Sequence, residues 1–275
     1  MLYPMRYFDV YVLCQAANKL LHGGFERNLA DFFEPLFEND GDTNKFQKYS
    51  LLHDYCEWVI RQNVWDEEEN IVTVIREVHK HKVLYGTDGP LWIDRAINFY
   101  CKPKEEYNFL SWVKNSSPKS IEQLEDYEID DLRYDYLQEL QLCSEEYDTC
   151  VRQLTQEMFY ILFQNREFLY NFNSGIAVYN QGVNKRISIP QWAQRAVFFR
   201  DHGHCVFCGQ DLSGTLHITG NREIHYDHIV SLDAGGMNDV SNLQLSCQKC
   251  NLEKSSTSDT SVHYQQWYDM IDMYD

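Results

Sequence analysis

The chain is short of positive charge and has no long apolar run. Among its 275 residues, 24 are Lys or Arg and 42 are Asp or Glu, a formal net charge of −18. That balance argues against a broad nucleic-acid grip, because phosphate contacts dominate such affinity and leave a basic footprint. No apolar stretch is long enough to cross a bilayer as a helix, so no membrane association is expected. The first residues, Met1 to Leu21, include Arg6 and Asp9 and lack a clean apolar centre, so no signal peptide is expected. No internal repeat is evident. Five of the nine cysteines, Cys14, Cys56, Cys101, Cys143 and Cys150, are scattered. They read as free thiols buried in the core of a cytoplasmic protein.

Hydrophobic residues make up 44% and aromatics 15% of the chain, enough for one large or two modest domains. Helical spacing dominates residues 1–172. Segments 5–21, 28–37, 43–62, 66–85, 90–100 and 105–113, an acidic helix from Ser120 and a long one from Glu145 to about Tyr170 are predicted helices. A break is expected at Pro35. Residues 1–172 are therefore an α-helical domain of unknown task, and 173–190 are a linker. Pro190 opens a helix to Arg200, residues 191–261 form a second domain, and 262–275 form a last amphipathic helix. The first 190 residues hold 19 basic against 31 acidic residues, net −12, and the remainder 5 against 11, net −6. The few basic residues beside the second domain are Lys185, Arg186, Arg195, Arg200, Arg222, Lys249 and Lys254. Of these, Lys254, Arg222 and Lys249 are the candidate substrate contacts.

The stretch from Cys205 to Lys254 carries the chemistry. Cys205, Cys208, Cys247 and Cys250 form two C-x-x-C knuckles. Two such knuckles close a four-thiolate shell around one tetrahedral ion and leave no open position, which suits structural Zn2+. His202 and His204 are near enough to compete as ligands, but a surface loop is the expected place for them. Between the knuckles, Ile224, Tyr226 and His228 alternate with His225 and Asp227, a strand pattern. Gly235 and Gly236 break it, Asn242 to Leu245 return as a second strand, and a helix starts off the second knuckle. This order brings Asp227, His228 and Asn251 together. A carboxylate and an amide oxygen suit Mg2+ or Mn2+, a neutral imidazole can deprotonate water, and Lys254 can meet a phosphate. Singly these residues say little: an Asp-His dipeptide, a turn asparagine and a surface lysine are common.

In this combination they resemble the HNH endonuclease family with its ββα-metal fold, in the variant with zinc knuckles. The similarity covers about residues 191–258. It implies that His228 is the general base, Asp227 and Asn251 hold a catalytic divalent cation, and Asn242 orients the loop and the base. Asn251 stands where many members carry His, and Leu252 and Glu253 stand where many carry basic residues. The resemblance implies metal-dependent hydrolysis of DNA phosphodiesters, leaving 5′ phosphate and 3′ hydroxyl. It also suggests an effector of bacterial anti-phage defence, partnered by a sensor or ATPase through the acidic helical domain. The alternative is a non-catalytic, zinc-stapled scaffold subunit of a complex that acts on nucleic acid.

Overall fold

The computed structural model describes residues 10–22, 26–38, 45–65, 70–80, 89–180, 184–214 and 224–261. The predicted helix over 262–275 and Arg222 lie outside these residues. The described chain is mainly α, with one two-stranded sheet near its C-terminal end. The helices are α1 (Val10–His22), α2 (Glu26–Glu38), α3 (Leu51–Trp65), α4 (Ile71–Lys80), α5 (Trp92–Cys101), α6 (Phe109–Ser116), α7 (Asp126–Cys143), α8 (Glu145–Gln164), α9 (Arg166–Tyr179) and α10 (Gln191–Arg200). Strand β1 (Ile224–His228), strand β2 (Leu243–Cys247) and α11 (Gln248–Lys254) follow. The chain divides into two compact units: residues 1–13 with 57–157, and residues 14–56 with 158–275.

Several helix boundaries differ from the sequence reading, each for a local reason. Helix α2 continues through Pro35, which sits on an exposed face where one missing backbone donor is tolerated. Helix α3 starts at Leu51 rather than Thr43. The His53 N–H donates to the Ser50 carbonyl at 2.8 Å and fixes the first turn there. The long helix expected from Glu145 stops at Gln164, because the Asn165 side chain accepts from Phe168 N and caps a new helix. That helix, α9, crosses residue 172 and runs to Tyr179, so residues 173–179 are helical where a linker is expected. Gly175 lies inside it because a Cβ there would come within 3.2 Å of the Phe33 ring.

In the first unit, α5, α6 and α7 close around Asp94, which is fully buried. Its carboxylate accepts from Tyr136 Oη at 2.6 Å and Phe109 N at 2.9 Å. Desolvation outweighs these two bonds and pushes its pKa up to about 7. The unfolded carboxyl ionises near pH 4 and the folded one only near 7, so this group subtracts stability as pH rises across that window, then levels off. Asp94→Asn is expected to flatten that part of the stability–pH curve, read by thermal melts between pH 4 and 8. Cys14, Cys56 and Cys150 are buried as expected, Cys101 is half-buried, and Cys143 is exposed, contrary to the expectation.

In the second unit, aromatic packing sets the frame. Phe33 stacks on Tyr179 with centroids 5.3 Å apart, and Tyr55 meets Phe172 at 5.2 Å. The Tyr55 hydroxyl donates to the Ala17 carbonyl at 2.8 Å. Helix α9 then anchors the C-terminal region. Asn173 Nδ2 donates to Ser241 O at 3.2 Å, and Asn180 Nδ2 donates to Gly235 O at 2.8 Å.

A buried charge cluster locks α9, α10 and β2. Asp201 accepts from Arg200 Nε (2.9 Å) and Nη2 (2.8 Å), from Arg166 Nη1 (3.3 Å) and from Leu245 N (2.9 Å). Arg166 Nε reaches Ser261 O at 2.8 Å, and the Arg200 guanidinium lies 4.9 Å from the Phe163 ring centroid. Arg200 is thus an internal residue and not part of a basic surface. Removing one member of such a cluster strands buried charge, at a cost of about 3–5 kcal/mol.

Candidate functional site

The four cysteines converge. Their sulfurs lie within 4.8 Å of one another, and Cys208 Sγ is 3.9 Å from Cys247 Sγ. Tetrahedral zinc with Zn–S bonds of about 2.3 Å needs sulfurs roughly 3.8 Å apart, so the cluster fits structural zinc. The first knuckle turns on Gly209, whose φ of 71° favours glycine. It is tied to β2 by Val206 N donating to Leu245 O at 3.0 Å. In the second knuckle Cys247 Sγ accepts from Cys250 N at 3.5 Å and caps α11. The cluster holds no histidine: His202 is exposed, and His204 Nδ1 lies 2.7 Å from the His202 carbonyl.

Antiparallel β1 and β2 pair Asp227 with Gln244 and His228 with Leu243. Successive strand side chains alternate faces, so His225 and Asp227 share one. That face meets α11, which presents Asn251 and Lys254 three residues apart on one side. Asn251 Nδ2 lies 3.5 Å from His225 Nδ1. Lys254 Nζ bonds Asp227 Oδ2 at 3.0 Å and donates to the His228 carbonyl at 2.8 Å. Lys254 is 7% exposed. The sequence reading gives this ammonium to a phosphate; the structure gives it to Asp227.

Asp227 Oδ2 also accepts from Gln244 Nε2 at 3.0 Å. Oδ1 is left without a protein donor among the described residues. Gln244 is itself held, donating to Asp259 O at 2.9 Å and accepting from Thr260 Oγ1 at 2.9 Å. Asp227, His228 and Lys254 line a cavity of about 320 Å³ together with Asn184, Arg186 and Asp233. Asn251 is not part of its wall, Lys249 is exposed, and Arg222 lies outside the described residues.

His228 is 2% exposed. Burial, with the nearby Arg186 charge second, pushes its pKa down to about 4, so the imidazole is neutral at pH 7. Nε2 lies 3.3 Å from Asn238 Oδ1, and Nδ1 is buried without a hydrogen-bond partner among the described residues. The residue beside the ring is therefore Asn238, not Asn242. Asn242 has a different task. Its Nδ2 donates to Val230 O and Met237 O, both at 3.0 Å, and its Oδ1 accepts from Val230 N at 2.8 Å. It pins the loop that carries Asn238.

Gly236 is required there by space. A Cβ would overlap the Val230 carbonyl and come within 2.9 Å of Asn242 Nδ2. Gly236→Ala is expected to cost about 2 kcal/mol or more, read by denaturant titration. A cost under half of that would mean the loop adapts freely.

The sequence reading of the site misses Asn238 and Gln244, which touch His228 and Asp227, and Asn184 in the cavity wall. Gln244 is recoverable from strand register, since it faces Asp227. Asn184 Nδ2 donates to Gly236 O at 2.8 Å, a contact across 52 positions with no local signature.

A hairpin and helix joined at a four-cysteine cluster that fits zinc, with an Asp-His pair at the end of the first strand, defines the ββα-metal class. Residues 205–257 match the family model for HNH endonuclease, so this part of the chain is an HNH domain. No curated protein and no solved structure matches the chain. Among the described residues no helix is long and apolar enough to cross a membrane. The HNH domain gives a nuclease-type function and nucleic acid as the partner class in general terms.

Proposed function

We propose that this chain is a metal-dependent endonuclease that hydrolyses DNA phosphodiester bonds in the cavity beside His228. The observation that carries the reading is a neutral, buried imidazole next to a carboxylate that keeps one oxygen uncommitted, inside a region matching HNH endonuclease. His228 takes the proton from the attacking water. Lys254 and Gln244 hold one oxygen of Asp227 and turn the other toward the cavity. Arg186 faces the phosphate oxygens from the cavity wall. Asp227, with Asn251 on the facing helix, would hold Mg2+ or Mn2+. When bound, such an ion stabilises charge on the phosphate and the leaving 3′ oxygen.

A competing reading, a zinc-stapled scaffold without catalysis, draws on the Lys254–Asp227 ion pair, which already neutralises the carboxylate internally. Incubating the full chain with supercoiled plasmid, with Mn2+ and with chelator, separates the two. Metal-dependent nicking that His228→Ala loses supports the nuclease. Cutting of neither duplex nor single strands supports the scaffold.

The role proposed for the nuclease is that of an effector in bacterial defence, released by a protein partner. The net charge of −18 supports the need for a partner, since it weakens the grip on DNA by the chain alone. Expressing the chain alone tests restraint: toxicity lost with His228→Ala means that no trigger is needed.

A further inference from the structure

The Asn238 side chain makes two contacts that together fix which nitrogen of His228 carries hydrogen. Asn238 Nδ2 donates to the Lys185 carbonyl at 2.8 Å. A carbonyl can only accept, so the amide nitrogen must face Lys185, and the opposite amide orientation would set two oxygens against each other. Oδ1 is thereby turned to His228 Nε2, 3.3 Å away. An amide oxygen also only accepts, so Nε2 must be the N–H. In a neutral imidazole the other nitrogen, Nδ1, then bears the lone pair. Nδ1 is the buried ring atom without a partner among the described residues.

We infer that Asn238 is a positioning residue that holds His228 in the Nε2–H tautomer and leaves Nδ1 as the proton acceptor, with the backbone at Lys185 as its anchor. The inference rests on the nuclease reading only for the purpose of the tautomer, not for its existence. The parts come from separate stretches. Asn238 sits between the Gly235–Gly236 pair and Asn242, on the loop pinned by Asn242. Lys185 lies ahead of α10, outside the 205–257 match, on a segment fastened to the same loop through Asn184 and Gly236. The segment expected as a linker therefore builds the far side of the base. A ring fixed in this way reaches substrate without first exchanging a proton between its nitrogens.

The test has two arms. In the first, long-range 1H–15N spectra of histidine-labelled full chain at pH 7 report the tautomer, with the His228 signal assigned by its loss in His228→Gln. Nε2–H in the wild type and a shift toward Nδ1–H in Asn238→Leu and Asn238→Ala are expected. A wild-type ring in the Nδ1–H form, or variants that keep the wild-type tautomer, overturns the inference, and the wild-type result needs no variant to fold. In the second arm, plasmid nicking with Mn2+ should show kcat lowered roughly 10- to 100-fold by either substitution with KM unchanged. A rise in KM at unchanged kcat overturns it. If the tautomer responds but even the wild type cuts nothing, the clamp stands and the nuclease reading falls.

Discussion

Cys250→Ala is expected to abolish the folded state of the C-terminal region. Zinc binding by four thiolates contributes about 10–16 kcal/mol of folding free energy in small metal-dependent modules. That is as large as the whole net stability of a typical domain, about 5–15 kcal/mol. The regular structure of this region is small, one two-stranded sheet and a seven-residue helix, and an isolated hairpin is marginal in water. The Cys250 N–H that meets Cys247 Sγ is backbone and survives the substitution, so what the variant removes is the fourth thiolate. Elemental analysis should find one zinc per chain in the wild type and none in the variant. Limited proteolysis should then cut within 205–257 first. A variant that melts within about 1 kcal/mol of wild type would show that the cysteines are ordinary core residues.

His228→Ala is expected to lower the cleavage rate by about 10²- to 10⁴-fold, the usual contribution of a positioned general base. Its effect on the fold should be small by comparison. The His228 carbonyl, which holds Lys254, is backbone and survives the substitution, and the cysteine cluster lies elsewhere. Unchanged zinc content with lost nicking is the informative combination. Assays belong at low ionic strength, because a chain of net charge −18 needs its few local cations unscreened. Equal cutting by variant and wild type removes His228 from the chemistry.

The parts of the site readable from sequence are those where residue type and spacing are one signal. The C-x-x-C pairs state their ligand geometry outright, and the alternation at 224–228 places Asp227 and His228 on opposite faces of a strand. Asn242 is expected to orient the loop and the base; its hydrogen bonds go to the backbone at Val230 and Met237. What escaped is long-range. The Lys185–Asn238 contact spans 53 positions and Asp201–Leu245 spans 44, and neither leaves a periodic trace. Lys254 and Arg200 carry charge, so sequence puts them in water; only folding reveals the carboxylates that bring them inside. Gly175 reads as a loop residue because glycine usually breaks helices, while here the neighbouring Phe33 ring demands the space.

The Asp201 cluster also bears on how this HNH domain can be moved between proteins. Its supports begin at Arg166 and end at Ser261, well beyond the family match on either side. A transplant limited to 205–257 would arrive without Asp201 and its two arginines, and without Asn180 and Asn184, which fasten the glycine loop from outside. The self-supporting piece is the longer one, and α9 belongs to it together with the HNH domain.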